Sequence, residues 1–250
     1  MILAGKNILI TGGGRGIGRG LVDSFASEGC TVCVFEKDPA HCDELATDAR
    51  ANVKAWVCDV SDPRDVDRAV AAAESEGFHP DILINNAGII HSEPIVNMSL
   101  KGDRAHSREN WRRVMAADLD SVFFVTSRIV DRMLHRRCKG VIISISSISA
   151  NGNAGQSAYS AAKAGVNALT STWAKELGPL GIRFAAIAPG FLDTPSTRAA
   201  VSENTLAKLQ QMIPLRKLGT PHSIFLAARH IIENDYITGT VMEVDGGLVI

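Results

Sequence analysis

Apolar residues gather along the chain in seven short runs, at residues 8–10, 32–35, 53–57, 82–84, 141–145, 182–187 and 241–244. Within each run they are mostly continuous rather than alternating. Between most runs lie segments of helical length with amphipathic spacing. A strand that is apolar on both faces must be buried on both faces, so the pattern predicts an α/β fold with a seven-stranded parallel sheet covered by helices on each side. No low-complexity linker or internal repeat divides the sequence, and residues 1–250 are read as one domain.

The first run passes through Thr11-Gly12-Gly13-Gly14-Arg15-Gly16-Ile17-Gly18 into a helical pattern that reaches about residue 28. Glycines let a backbone turn tightly and approach a ligand, and a helix N-terminus offers unpaired N–H groups to a pyrophosphate. The spacing is Thr-Gly-x-x-x-Gly-x-Gly, at Thr11, Gly12, Gly16 and Gly18, rather than the common Gly-x-Gly-x-x-Gly. No Gly-Lys-Ser/Thr follows, which argues against a nucleoside triphosphate loop. With a strand before it and a helix after it, the turn is read as a dinucleotide site, and the domain as Rossmann-like and doubly wound.

The second run ends at Glu36, 18 residues after Gly18. A carboxylate there can accept hydrogen bonds from adenosine ribose hydroxyls and repels a 2′-phosphate, whereas Arg15 or Lys37 could pair with one. NAD is therefore expected in preference to NADP. After the third run, Asp59 of Cys58-Asp59-Val60 either meets the adenine amino group or serves as an acid near the start of the helix from Pro63. Asn85-Asn86-Ala87-Gly88 closes the fourth run with small and amide residues suited to close packing against a cofactor.

The fifth run ends in Ser144-Ile145-Ser146-Ser147, and a helical pattern over residues 157–177 begins just before Tyr159-Ser160-Ala161-Ala162-Lys163. Residues four apart share a helix face, so the Lys163 ammonium lies one turn from the Tyr159 phenol. A neighbouring cation favours a phenolate, which brings a phenol toward use as an acid and base at neutral pH. A serine hydroxyl could hold the substrate oxygen. The competing reading is a chance Tyr/Lys pair on an exposed helix face.

The remaining segments frame this chemistry. Residues 91–110 read as a polar surface excursion, and residues 111–137 as one long helix with a cationic end at Arg136, Arg137 and Lys139. Beyond Pro189-Gly190, residues 191–213 read as a lid carrying a helix at 196–211, and Thr220-Pro221 opens the last helix. The formal net charge of -1 gives no reason to expect nucleic acid or an anionic membrane as partner. Five cysteines, an odd number with three in apolar strand-like surroundings, read as buried thiols in a reducing compartment, and the N-terminus has no signal-peptide pattern, so a cytoplasmic protein is expected.

In this order and spacing, Thr11-Gly12-x-x-x-Gly16-x-Gly18, Asp59, Asn86-Ala87-Gly88, the serine strand, Tyr159-x-x-x-Lys163, Pro189-Gly190 with Thr194, and Asp245-Gly246-Gly247 resemble the short-chain dehydrogenases/reductases over essentially the whole chain. The resemblance implies hydride transfer between a nicotinamide cofactor and a secondary alcohol or ketone, a small-molecule substrate, no metal, and a homotetramer or dimer built through the two long helices. It implies that Tyr159 is the general acid/base, that Lys163 supports it and binds the nicotinamide ribose, and that a serine polarises the carbonyl. Gly12, Arg15, Gly16, Ile17, Gly18, Glu36, Asp59, Val60, Asn86 and Pro189 would line the cofactor, with Thr194 at the carboxamide. The family's spacing to the tyrosine selects Ser146, whereas its Ile-Ser-Ser pattern selects Ser147; pleat alternation favours Ser147. Two further departures are the length of the 91–110 excursion, expected at the site mouth or a subunit contact, and Asp118, where the family has Asn. Asp118 is expected to act electrostatically on Lys163, against the reading of an ordinary solvated or capping acid. The general look is nearest to reductases of 3-oxoacyl thioesters on an acidic carrier protein, the alternative substrate class. Leu180 stands where such members often carry a basic residue. A non-catalytic NAD(H) sensor is the reading from another class, opposed by the intact Tyr159 and Lys163.

Overall fold

Successive side chains of a strand point to opposite faces of its sheet, and the first strand shows why its apolar run is continuous. Ile8 and Ile10 enter one buried cluster with Leu21, Phe25 and Phe225, while Leu9 enters another with Phe35, Ile129 and Phe184. Both faces of the sheet are therefore core.

The structure is a computed structural model that describes residues 1–47, 52–99, 101–200 and 203–249. Its strands are β1 (Asn7–Thr11), β2 (Thr31–Glu36), β3 (Val53–Val57), β4 (Ile82–Asn85), β5 (Gly140–Ile145), β6 (Ile182–Pro189) and β7 (Thr240–Val244). All pair in parallel, in the order β3-β2-β1-β4-β5-β6-β7. Each of the seven predicted runs lies within one of these strands. The order reverses between β1 and β4, which opens a crevice at the carboxyl ends of the strands.

The α-helices among the described residues are α1 (Gly16–Ser27), α2 (Pro39–Thr47), α3 (Pro63–Ser75), α4 (Arg108–Met115), α5 (Ser121–His135), α6 (Ser157–Leu177), α7 (Pro195–Ala200), α8 (Glu203–Met212) and α9 (Pro221–Glu233). α1 and α9 cover one face, and Phe25 and Phe225 meet there edge to face at 5.0 Å. Such a pair contributes about 1 kcal/mol beyond its burial. α3, α5 and the C-terminal part of α6 cover the other face. α9 begins as expected: Thr220 and Ser223 form a reciprocal capping box, with Pro221 in the first turn. None of the described helices is long and apolar enough to cross a membrane.

Three expectations are corrected. The predicted helix at 111–137 begins at Arg108 and is split into α4 and α5 by a π-helical turn at Ala116–Asp120. A π turn widens the ladder by one residue, which a hydrophobic pattern read at 3.6 residues per turn does not reveal. The lid helix expected at 196–211 is two helices, α7 and α8. The excursion ends earlier than residue 110, because Ser107 accepts the N–H of Asn110 and so caps α4. Four of the five cysteines are buried and Cys138 is partly covered. Burial pushes the Cys30 and Cys42 thiols up to about 11, which suits inert packing residues.

Candidate active site

The site begins where β1 ends. The Asn86 side-chain amide donates to the carbonyls of Thr11 (3.1 Å) and Gly12 (2.8 Å), and the Thr11 hydroxyl accepts the N–H groups of Asn86 and Ala87 (3.0 Å each). Asn86, expected to line the cofactor, thus also ties the glycine-rich loop to the end of β4. Gly18 is required by this packing: a Cβ there would collide with the Gly12 carbonyl and the Asn86 amide. Arg15 directly precedes α1, and no side chain caps that helix. A glycine loop leading to an uncapped helix N-terminus fits a pyrophosphate. Ile17 packs partly buried against the core, and Gly16 and Gly12 supply positive φ.

Glu36, at the end of β2, is buried, and three main-chain N–H groups hold it in place. One carboxylate oxygen accepts from Gly14 (2.9 Å), the other from Lys37 (2.9 Å) and Asp38 (3.2 Å). Lys37 reaches instead to Asp59, with 2.6 Å between its Nζ and a carboxylate oxygen. The second oxygen of Asp59 accepts from Ser61. Burial would raise the Asp59 carboxyl, but the bonds from Lys37 and Ser61 outweigh it and hold the group below its usual range. The residue that caps α3 is Asp62, not Asp59. Val60 beside it is buried.

The two serine candidates part company in space. Ser146 donates to the Asn167 amide oxygen at 2.6 Å, so its proton is committed to α6. Ser147 accepts the Ser149 N–H at 3.1 Å and caps a short 3₁₀ turn; its own proton goes to no group among the described residues. Asn167 was missed by sequence reasoning, although its place four residues after Lys163 on the same helix face was readable.

Tyr159 is 8% exposed and packs with Val114, Ala158 and Ile89. Its hydroxyl makes no hydrogen bond to the described residues. Lys163 lies beneath, its Nζ 5.6 Å from the phenol ring centroid. That ammonium donates to the Ile145 carbonyl at 3.0 Å and pairs with Asp118 at 3.2 Å. Asp118 is fully buried in the π turn and accepts the Ile89 N–H at 3.2 and 3.3 Å. Burial holds its carboxyl above the ordinary range, with the Lys163 ammonium and Ile89 N–H pulling it part of the way back. It is therefore no solvated or capping acid. Gly88 leaves the room: a Cβ there would strike the Asp118 carboxylate.

Pro189 ends β6 opposite Val244. Thr194 is buried and its hydroxyl accepts the Thr197 N–H at 3.2 Å, at the start of α7. The segment expected to form a lid is anchored at both ends. The Asp193 main-chain N–H donates to the Gly219 carbonyl, and Ile213 packs against Ile148, the neighbour of Ser147.

Comparison with known proteins agrees with this geometry. The family described as short chain dehydrogenase matches residues 6–205. The 3-oxoacyl-(acyl-carrier-protein) reductase of Thermotoga maritima is 37% identical, with 100% of both chains covered. The human (3R)-3-hydroxyacyl-CoA dehydrogenase is 36% identical over 96% of this chain and 94% of its own. Among solved structures, the 3-ketoacyl-(acyl-carrier-protein) reductase of Brucella melitensis complexed with NADH superposes with a TM-score of 0.86, at 31% identity, over 99% of this chain and 100% of that one. The chain belongs to the short-chain dehydrogenase family. It is an oxidoreductase acting on CH–OH groups with a nicotinamide cofactor.

Proposed function

We propose that this oxidoreductase interconverts a secondary alcohol and a ketone with NAD(H), and that Tyr159 is its general acid/base. The observation that carries the reading is a Tyr159 hydroxyl unengaged by any described residue, on a phenol ring whose centroid lies 5.6 Å from the Lys163 ammonium. When bound, the nicotinamide supplies or accepts the hydride. Tyr159 gives a proton to the substrate oxygen or takes one from it. Ser147, with its proton uncommitted, donates to that oxygen and orients it. An ammonium has three donors; Ile145 and Asp118 take two of those on Lys163, which leaves one for the nicotinamide ribose.

The same residues support a cofactor preference. Gly12, Gly16 and Gly18 would admit the pyrophosphate to the start of α1, with Arg15 and Ile17 beside it, and Asp59 and Val60 would hold the adenine. Pro189 and Thr194 would hold the nicotinamide side. Three main-chain N–H groups fix Glu36, so its carboxylate does not turn aside for a 2′-phosphate, and Lys37 is engaged by Asp59. NAD is favoured over NADP on these grounds.

The likeness to a 3-oxoacyl reductase and a 3-hydroxyacyl dehydrogenase supports a 3-oxoacyl or 3-hydroxyacyl thioester as the substrate class. An open groove of about 410 Å³ between α5 and α6, lined by Leu119, the half-exposed Phe123, Ala168 and Leu169, supports self-association through those helices, as a homotetramer or dimer. Free buried thiols support a cytoplasmic setting. The test is consumption of NADH and NADPH with acetoacetyl thioesters, simple ketones and oxidised polyols. Reduction of a ketone with NADH is expected. Tight NADH binding without turnover of any of them would overturn the reading in favour of a sensor.

A further inference from the structure

The excursion after β4 contains a small hairpin. Val96 pairs antiparallel with Ala105, the Asn97 N–H donates to the Arg104 carbonyl, and the His106 N–H to that of Ile95. An isolated two-stranded hairpin is marginal in water, and this one has little core of its own: Ile95 is 69% and Met98 74% exposed. Something at its base must hold it.

That base is Glu93. One carboxylate oxygen accepts the Ser107 N–H at 2.8 Å. The other accepts the Asn110 amide at 2.9 Å, lies 3.0 Å from His91 Nε2, and stands 2.8 Å from His106 Nδ1. Ser107 and Asn110 form the cap of α4. The main chain of the same residue turns the other way. The Glu93 N–H donates to the Gly155 carbonyl at 2.6 Å, and Glu93 pairs with Gln156, whose side chain donates to the Ser92 hydroxyl at 3.2 Å. Gln156 directly precedes α6 and lies three residues before Tyr159. One residue therefore links the N-termini of α4 and α6. Those helices meet around the general acid/base, with Val114 from α4 packed on Ala158 and Tyr159 from α6.

We propose that Glu93 is a positioning residue that sets the substrate entrance at Tyr159, with the hairpin it anchors forming one wall of that entrance. The inference rests on the ketoreductase reading and adds to it the element that governs substrate fit. Bonds to a carboxylate are the strong kind, and several converge on this one. Glu93→Ala removes the carboxylate bonds together and keeps the main-chain bond to Gly155, but residue 93 is then no longer fixed to the α4 cap, so the hairpin opens, the segment before Tyr159 is held less firmly, and the substrate meets a competent entrance only part of the time. If the competent fraction falls to about a tenth, KM rises about tenfold while kcat at saturation is retained. Loss of fold alone would lower the active fraction, and so kcat, with KM unchanged.

The test compares wild type, Glu93→Ala and Glu93→Gln in the reduction of acetoacetyl-coenzyme A at saturating NADH. NADH affinity is measured by fluorescence, and amide exchange is followed over residues 92–107 and 152–160. The expected result is a KM raised about tenfold in Glu93→Ala, and less in Glu93→Gln, which keeps one acceptor oxygen. NADH affinity should be unchanged, and exchange should be faster in both segments. An unchanged KM, or a fall in kcat alone, overturns the proposal. Absence of turnover by wild type would count against the substrate reading, and exchange then decides: unchanged exchange at 152–160 in Glu93→Ala overturns the role of Glu93, and faster exchange there supports it.

Discussion

The Lys163 ammonium lies 3.2 Å from the Asp118 carboxylate, and both side chains are almost fully buried. The ion pair is held from both ends, by the Ile145 carbonyl on Lys163 and the Ile89 N–H on Asp118. A carboxylate there offsets part of the positive field that Lys163 exerts on Tyr159. Asp118→Asn removes that offset, so the phenol is deprotonated more readily. The acidic limb of the oxidative pH–rate profile should move to lower pH, with NADH affinity unchanged. An unmoved limb would show that Asp118 has no electrostatic part in the reaction. Asp118→Ala leaves a buried ammonium unpaired, and denaturant unfolding should register a loss of about 3–5 kcal/mol.

Tyr159→Phe removes the transferable proton and little packing. Turnover should fall by about a thousandfold or more, within reach of what general acid–base groups contribute and beyond what small shifts in packing explain. Cofactor titration should give a Kd close to that of wild type. Substantial turnover by the variant would remove Tyr159 from the mechanism.

The two serines should respond differently to the same deletion. Ser147→Ala should lower kcat strongly, with a loss of about 1 kcal/mol of stability from the turn it caps. Ser146→Ala leaves the Asn167 amide oxygen without its donor and should cost about 1–3 kcal/mol of stability, with a smaller effect on kcat. The opposite pattern would exchange their assignments.

Cofactor preference is read from kcat/KM with NADH and NADPH. NADH should be preferred, because a 2′-phosphate would face the fixed Glu36 carboxylate. Tenfold or greater preference for NADPH would mean that Arg15 carries the phosphate past it.

The Glu93 carboxyl is held down to about 2, from an ordinary 4.5, first by the bond from His91 and then by those from Ser107 and Asn110. A depressed carboxyl contributes stability that is fully present above its unfolded value and is lost as pH falls through its folded one. Amide exchange in the 92–107 segment, corrected for intrinsic rates, should be steady above about pH 4.5 and accelerate toward pH 2. A flat profile across that window would mean that the carboxylate does not anchor the hairpin.

The sequence by itself determined the sheet, the glycine loop and the helix carrying Tyr159 and Lys163. Each depends on local periodicity or fixed spacing: continuous apolar runs for strands buried on both sides, and four-residue separation for one helix face. The tertiary structure decided what depends on partners far apart in the chain. Pleat alternation alone favoured Ser147, but only the position of Asn167 across the β5–α6 packing shows where the Ser146 proton goes. Residue type at 118 indicated a charge, yet the π turn and the space above Gly88 bring that charge onto Lys163. The excursion read as polar surface because its charges are evident in sequence. Their convergence on Glu93 arises only when the chain returns from Ser107 and Gly155, since hydrogen bonds between distant segments leave no period in the sequence to read.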